Sequence, residues 1–169
     1  MALPRTLKNF ALFFNAVSYV GEVPKIKLPK LARKMEDYRA GGMNIPVKLD
    51  FGMEPLTLEW TAGGFLPSVM LDFGAGTHNA TMLRFAAALQ SEDASGYEGL
   101  EVFAMGRHSE IDFGEAEAGK PTEHSYKTEL SYYRLTDNGT PIIEIDAVNM
   151  IERIGDVDRM EEIRALLGL

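Results

Sequence analysis

Between Asn9 and Arg134 apolar residues alternate with polar ones or run in short blocks, the period-two signature of strands. FALFFNAVSY (10–19) reads as a strand entering a turn at Asn15-Ala16. Val23, Ile26 and Leu28 alternate with lysines, and Pro24 confines that segment to an edge or an end. Val47, Leu49 and Phe51 share one face of a strand, with Lys48 and Asp50 on the other. In LTLEWT, Leu56, Leu58 and Trp60 face in while Thr57, Glu59 and Thr61 face out. The two segments are expected to form a hairpin joined near GMEP.

Residues 63–76 break the rhythm. A short helix is expected there, started by Pro67 or Ser68, filled by Val69 to Phe73 and stopped by Gly74. MLRFAAALQS (82–91) and GLEVFAMGRH (99–108) return to strand, with a hairpin turn between them. HSYKTELSYYRL (124–135) is the clearest strand, with Tyr126, Leu130 and Tyr132 on its apolar face and Ser125, Lys127, Glu129 and Ser131 opposite. Asn138-Gly139 then predicts a tight hairpin into IIEIDAVN. In the tail, Met160, Ile163, Leu166 and Leu167 recur at helical spacing, with Asp158 as the expected N-cap. The sum is a mainly β chain: an antiparallel barrel or sandwich in one domain over 1–169, with a short mid-chain helix and a C-terminal helix.

Composition changes this picture little, but charge changes it more. No apolar run approaches the ~18 residues of a membrane helix, and MALPRTLKNF lacks the features of a signal peptide. There is no cysteine, which removes disulfides and thiolate metal sites and fits a reducing cytoplasm. The formal net charge of −8 argues against wrapping nucleic acid. That charge is unevenly spread. Residues 1–48 carry nine Lys/Arg against three Asp/Glu, and the remainder of the chain carries eight against twenty-two. Either these are independent solvated faces, or copies of the chain attract one another head to tail.

Candidate chemistry is sparse. His78, His108 and His124 have no metal-ligand spacing and are expected at the surface. No G-x-S-x-G elbow is present, and the glycines of YRAGGMNIPV (38–47) lack the length and Lys-Ser/Thr ending of a phosphate loop. Glu110, Asp112, Glu115 and Glu117 crowd RHSEIDFGEAEAG. They read as a solvated acidic stretch, as an acid–base pair awaiting a cleft, or as an acidic channel wall that would not hold nucleic acid.

Several stretches together resemble the tail-tube proteins of contractile-tailed bacteriophages, a family shared by the R-type pyocins: MALPRTLKNFALFFNAVSYVGEV, LPKLARKMEDYRAGGMNIPV, SYYRLTDNG and IEIDAVNM…GDVDRMEEIRALLGL. The resemblance spans nearly the whole chain and is weakest over residues 62–100. It implies a structural protein, without cofactor or catalysis, that forms hexameric rings. The rings stack into a tube inside a sheath, and each subunit adds strands to a lumen-lining barrel of roughly two dozen strands. The implied partners are further copies, the tail sheath, tape measure and baseplate or terminator proteins. DNA passes through a phage lumen without specific binding, and the subunit itself makes no stable membrane insertion. The implied location is the virion tail or pyocin particle, assembled in the host cytoplasm.

On that resemblance the Leu28–Pro46 arm is an extended intersubunit loop. Lys30, Arg33, Lys34 and Arg39 meet acidic surface on the next copy, while Gly41, Gly42 and Met43 form its bend. Lys48, Asp50, Thr57, Glu59, Thr61, Lys127, Glu129 and Ser131 are the candidate lumen face, subject to strand parity. Two other readings stand beside this one. The first is the tube of a type VI secretion system. The second, from a different class, is a small β-barrel enzyme or ligand-binding domain with an acidic site at Glu110–Glu117.

Overall fold

The alternation predicted along the chain becomes twelve strands and two short helices in the computed structural model, which describes residues 2–169. In chain order the strands are β1 (Thr6–Phe14), β2 (Val17–Ser18), β3 (Lys25–Lys27), β4 (Arg33–Tyr38), β5 (Val47–Met53) and β6 (Leu56–Ala62). After helix α1 (Pro67–Met70) come β7 (Thr81–Gln90), β8 (Glu98–Asp112), β9 (His124–Asp137), β10 (Thr140–Asp146), β11 (Ile151–Ile154) and β12 (Val157–Asp158). Helix α2 (Glu161–Leu167) ends the chain. The main sheet runs β12-β11-β10-β9-β8-β7-β1-β2, and β6 joins it through β9 and carries β3 on its far side. Every pairing in it is antiparallel.

Local chemistry explains the turns. Asn15 and Ala16 at φ 45° and 67°, and Asn138 and Gly139 at 47° and 80°, have the two positive values that close two-residue hairpins. Pro67 opens α1 as expected, but the helix stops at Met70; residues 71–74 continue as turn to Gly74 at φ 82°, where helix through Phe73 was expected.

The long strands β8 and β9 bend the sheet. Their register shifts twice, between Met105 and Gly106 and between His108 and Glu110. In the first shift Ser131 is the extra residue of β9, so side-chain parity reverses there. Tyr126 and Tyr133 are therefore both buried, one on either side of the bulge, although seven positions apart. Tyr132, expected on the apolar face with Tyr126, lies on the opposite face and donates its hydroxyl to Glu144. The core joins Leu12, Phe14, Leu83, Phe85, Val102 and Tyr133 to Leu56, Leu58, Trp60 and Tyr126. Trp60 stacks on Tyr126 with ring centroids 4.4 Å apart.

Three expectations are corrected. β5 does not pair with β6; it pairs with β4, from Tyr38↔Val47 to Arg33↔Met53, in a separate two-stranded sheet. The arm is thus a β-hairpin extending to Met53, where a loop over Leu28–Pro46 was expected. Asp158 is not the N-cap of α2, a position held by Met160; it sits two residues earlier and accepts from the Met160 N–H at 3.0 Å. Nor does α2 bury its apolar face, since none of its residues is buried and Ile163, Leu166 and Leu167 are exposed.

Candidate assembly surfaces

β3, β6, β9 and the last part of β8 form a four-strand unit whose inward face carries Ile26, Trp60, Tyr126 and Ile111 in one row. Its outward face is polar. One row reads Lys27, Glu59, Lys127, Glu110, and the next reads Lys25, Thr61, Ser125, Asp112. Thr57 stands opposite Glu129, which stands opposite Arg107. The Thr57 hydroxyl donates to Glu129 at 2.8 Å and the Ser109 hydroxyl at 3.2 Å. Lys27 lies 3.2 Å from Glu59, and Lys127 lies 3.6 Å from Glu129. These pairs are exposed and contribute little stability, at most about 1 kcal/mol each. Their effect is on surface character. Lys25, Lys27, Arg107 and Lys127 offset Glu59, Glu110, Asp112 and Glu129, so the face is charge-balanced and differs from the acidic channel wall that was one reading of the Glu110–Glu117 stretch. A concavity of about 580 Å³ runs over it between Lys25, Glu59, Glu110 and Lys127.

Thr57, Glu59, Thr61, Lys127 and Glu129 are therefore brought together, as parity suggested. Lys48 and Asp50 are not with them, because β5 left for the arm. Ser131, at the bulge, hydrogen-bonds His78 at 2.9 Å. Glu110 and Asp112 of the acidic stretch join this face, and Lys25, Lys27 and Arg107 complete it and were missed, because their membership depends on which strands become neighbours.

The arm spends most of its charge on itself. Arg33 bridges Asp50 of its own hairpin and Glu152 of β11, and its pKa is raised, chiefly by the Glu152 hydrogen bond. Asp50 is held below the usual carboxylate range, first by the Gly52 N–H. Lys48 pairs with Asp37 at 2.9 Å and Lys34 with Glu36 at 3.5 Å. Arg39 donates to the Met43 carbonyl at 3.1 Å, while Lys30 is exposed. At the tip, Met43 N–H donates to the Ala40 carbonyl, and Gly42 at φ 86° supplies the left-handed turn residue. Gly41 has no positive φ, and a Cβ on either glycine would meet no atom of this chain within 4 Å.

One face of the arm carries an exposed apolar stripe along β5, beside Glu36, which stands opposite Leu49. Val47, Leu49 and Phe51 follow one another along β5, with Tyr38 opposite Val47, and all four are exposed. A lone two-stranded hairpin is marginal in water. This one is tethered at its base by Arg33–Glu152 and by Glu54 N–H to the Ala32 carbonyl. Its apolar stripe has no cover within the chain.

Two of the histidines expected at the surface are buried. His108 is only 4% exposed, stacks on Phe14 and shares a 3.0 Å hydrogen bond with Thr128. His124 is fully buried, edge-on to Phe65 and Phe113, with neither ring nitrogen bonded to protein. Burial lowers the His108 pKa, and the Asp72 charge raises it by less. A signal was present in the sequence: His108 shares parity with Val102 and Ala104, and His124 with Tyr126. His78 is exposed. The acidic stretch does not converge, since Glu110 and Asp112 end β8 while Glu115 and Glu117 follow in an exposed loop. No metal-binding cluster of His, Asp or Glu forms among the described residues.

With this geometry in place, the comparisons with known proteins are specific. Residues 4–168 match the profile of the family described as phage tail tube protein FII. The chain is 42% identical to the tail tube protein of Escherichia phage P2 over 172 aligned positions, covering all of both chains. It is 36% identical to the major tail tube protein of Serratia phage KSP20, covering 100% of this chain and 99% of that one. Among solved structures, the sheath-tube complex of an extracellular contractile injection system, PVC, aligns with a TM-score of 0.60. That alignment has 8% identity and covers 79% of this chain and 92% of the other, a likeness of fold.

Proposed function

The chain belongs to the phage tail tube protein FII family, and from that premise we propose how it builds a tube. It is an inner tail tube protein of the contractile kind. Six copies close into a ring, as the family resemblance implies, and rings stack into a conduit that a contracting sheath drives through the host envelope. The concave, charge-balanced face of β3, β6, β9 and β8 is the lumen wall. Balanced charge leaves little net attraction for phosphate, so DNA passes without sticking. The arm hairpin lays Tyr38, Val47, Leu49 and Phe51 on a copy in the neighbouring ring. A sheath covers the outside, as in the sheath-tube complex of the structurally similar injection system, and a terminator closes the end, within a tail built in the host cytoplasm.

The observation that carries this reading is the full-length relationship to two tail tube proteins. The exposed apolar arm supports it physically. Burying most of four such side chains contributes several kcal/mol per contact, roughly 1.5–3 each before the cost of association. The test is electron microscopy of purified protein beside the variant L49D/F51D. The wild type is expected to give hollow tubes of uniform width. Leu49 and Phe51 are exposed in the single subunit, so the variant should stay folded and form single rings or short stacks. Tubes of normal length and yield from the variant would remove the arm from the stacking contact.

A further inference from the structure

The strands of the four-strand unit have two ends, and unlike features stand at them. At one end Leu56 pairs with Leu130, and the arm leaves from there, because only Glu54 and Pro55 separate β5 from β6. β4 and β5 pair with each other alone, so past its base the arm leans on no other strand. At the opposite end Ala62 pairs with His124, and Asp112 with Ser125. Just beyond those last pairs come Phe65 and Phe113, 69% and 52% exposed. Both stand edge-on to the buried His124 ring, with centroids 4.4 and 5.4 Å from it. We propose that the Phe65–Phe113 pair is the socket that receives the arm of a copy in the adjacent ring. This socket rests on the reading of the arm as a stacking contact and names the surface the arm meets.

Position, packing and charge converge on it. Strands of a closed barrel run at about 35–45° to its axis, so the two ends of the unit lie at opposite rims of a ring. Rings stacked in one sense set the arm rim of each against the Phe65–Phe113 rim of the next, a heterologous contact that repeats without closing. Packing agrees. The arm brings exposed Leu49 and Phe51, and the socket offers two phenyl rings already held in place against His124. Rigid aromatic side chains lose little freedom on docking and serve as anchors. Within one copy the cluster is incomplete, since its covering rings stay open to water and neither His124 nitrogen has a protein partner. Charge agrees as well. Residues 28–53 carry five Lys/Arg against three Asp/Glu, whereas residues 113–123 carry three Glu against one Lys. Glu22 adds to the acidic rim, because its carbonyl accepts the Gly63 N–H at 2.7 Å. Glu117 and Glu123 already have lysine partners, but among the described residues neither Glu22 nor Glu115 pairs with a cation. Arg39, at the arm tip, pairs with no carboxylate there and donates only to the Met43 carbonyl. The uneven charge of the sequence thus acts along the tube axis, from arm tip to acidic rim.

Complementation between two variants reads this contact. L49D/F51D removes the arm's anchors and keeps the socket, while F65D/F113D removes the socket and keeps the arm. Each alone should form rings that do not stack. Rings of the two, prepared separately and then mixed, should give double rings by negative-stain electron microscopy and no longer stacks, because one competent arm rim meets one competent socket. Normal tubes from F65D/F113D, or no double rings in the mixture, would overturn the socket while leaving the arm's role in stacking intact. Normal tubes from L49D/F51D would instead overturn the reading of the arm itself. A charge exchange decides the matter if either variant fails to fold or to close rings. R39E should stay folded by Trp60 fluorescence and require about tenfold more protein to assemble. Adding E22K/E115K to the same chain should restore assembly. Wild-type assembly by R39E alone, or no recovery by the folded triple variant, would count against the socket.

Discussion

Replacing Gly106 by alanine should be among the most damaging single-methyl changes in the chain. Gly106 lies beside the Ser131 bulge, opposite Thr81 at the start of β7, where pairing with β7 stops and β8 continues into the four-strand unit. A Cβ there would sit 2.1 Å from the Glu129 carbonyl oxygen, 2.9 Å from its carbon and 3.0 Å from Leu130 Cα. Ordinary contact begins near 3.4 Å, so the strands must part by about 1.3 Å. All three atoms are backbone, and no rotamer change relieves the clash. Overpacking alone costs about 1–3 kcal/mol, and weakened ladder bonds add about 1 kcal/mol each. An expected loss near 3 kcal/mol is a large share of a stability of about 5–15 kcal/mol. It corresponds to a fall of roughly 6–12 °C in Tm for a domain of this size. Gly99→Ala, in the same strand with no atom within 4 Å of its Cβ, is the control and should change stability by less than about 0.5 kcal/mol. Urea unfolding followed by the single tryptophan, Trp60, at concentrations below assembly, reads both variants. Equal midpoints for the two alanine variants would refute the close packing of β8 on β9 at the bulge.

Burial holds the His108 pKa below its ordinary value of 6.5. Below pH 6.5 the unfolded chain therefore binds a proton that the folded chain refuses. The stability His108 confers is complete above about 6.5 and declines as pH falls, by up to about 1.4 kcal/mol per pH unit. His108→Asn should flatten the change in urea midpoint between pH 7 and pH 5 by one proton, and an unchanged slope would contradict this. At the C-terminus, Arg164 donates to Asp158 at 2.7 Å and to the Met150 carbonyl at 2.6 Å. The Arg164 hydrogen bond holds the Asp158 carboxyl down to about 2. The stability from this depressed group is present above about 4 and lost as pH falls towards 2. Arg164→Ala should raise the Asp158 titration, followed by carboxyl NMR, towards its ordinary value, with the Met160 and Glu152 N–H donors still holding it down, and should speed amide exchange in α2; a midpoint still near 2 would assign the shift elsewhere.

How far the fold could be read from the chain depended on whether each feature was local. Asn15-Ala16 and Asn138-Gly139 announce their turns because two-residue hairpins demand positive φ at both positions. Thr57, Glu59, Lys127 and Glu129 fall on one face because period-two alternation survives folding until a bulge intervenes. Ser131 is that bulge, and nothing in SYYRL marks it. The misplaced β5 has a clearer lesson. Val47, Leu49 and Phe51 alternate like a core strand, but alternation reports that a face is apolar and not what covers it. Here the chain itself does not cover it. Likewise Lys25, Lys27 and Arg107 are unremarkable as isolated charges and join one polar face with Glu110 and Asp112 only once the order β3-β6-β9-β8 is known. The buried His108 and His124 were misjudged because polar identity was weighed above the parity they share with apolar neighbours.

The central claim is that copies of this chain close into a tube whose inner wall is the polar face of that four-strand unit. A cryo-electron microscopy reconstruction of assembled purified protein tests it most directly. The expected map shows six-fold rings with four strands per subunit, roughly two dozen in all, around the lumen, and with Glu59 and Lys127 pointing into it. A protein that stays a monodisperse monomer at high concentration, or a wall built from the β1–β7 face instead, would contradict the account.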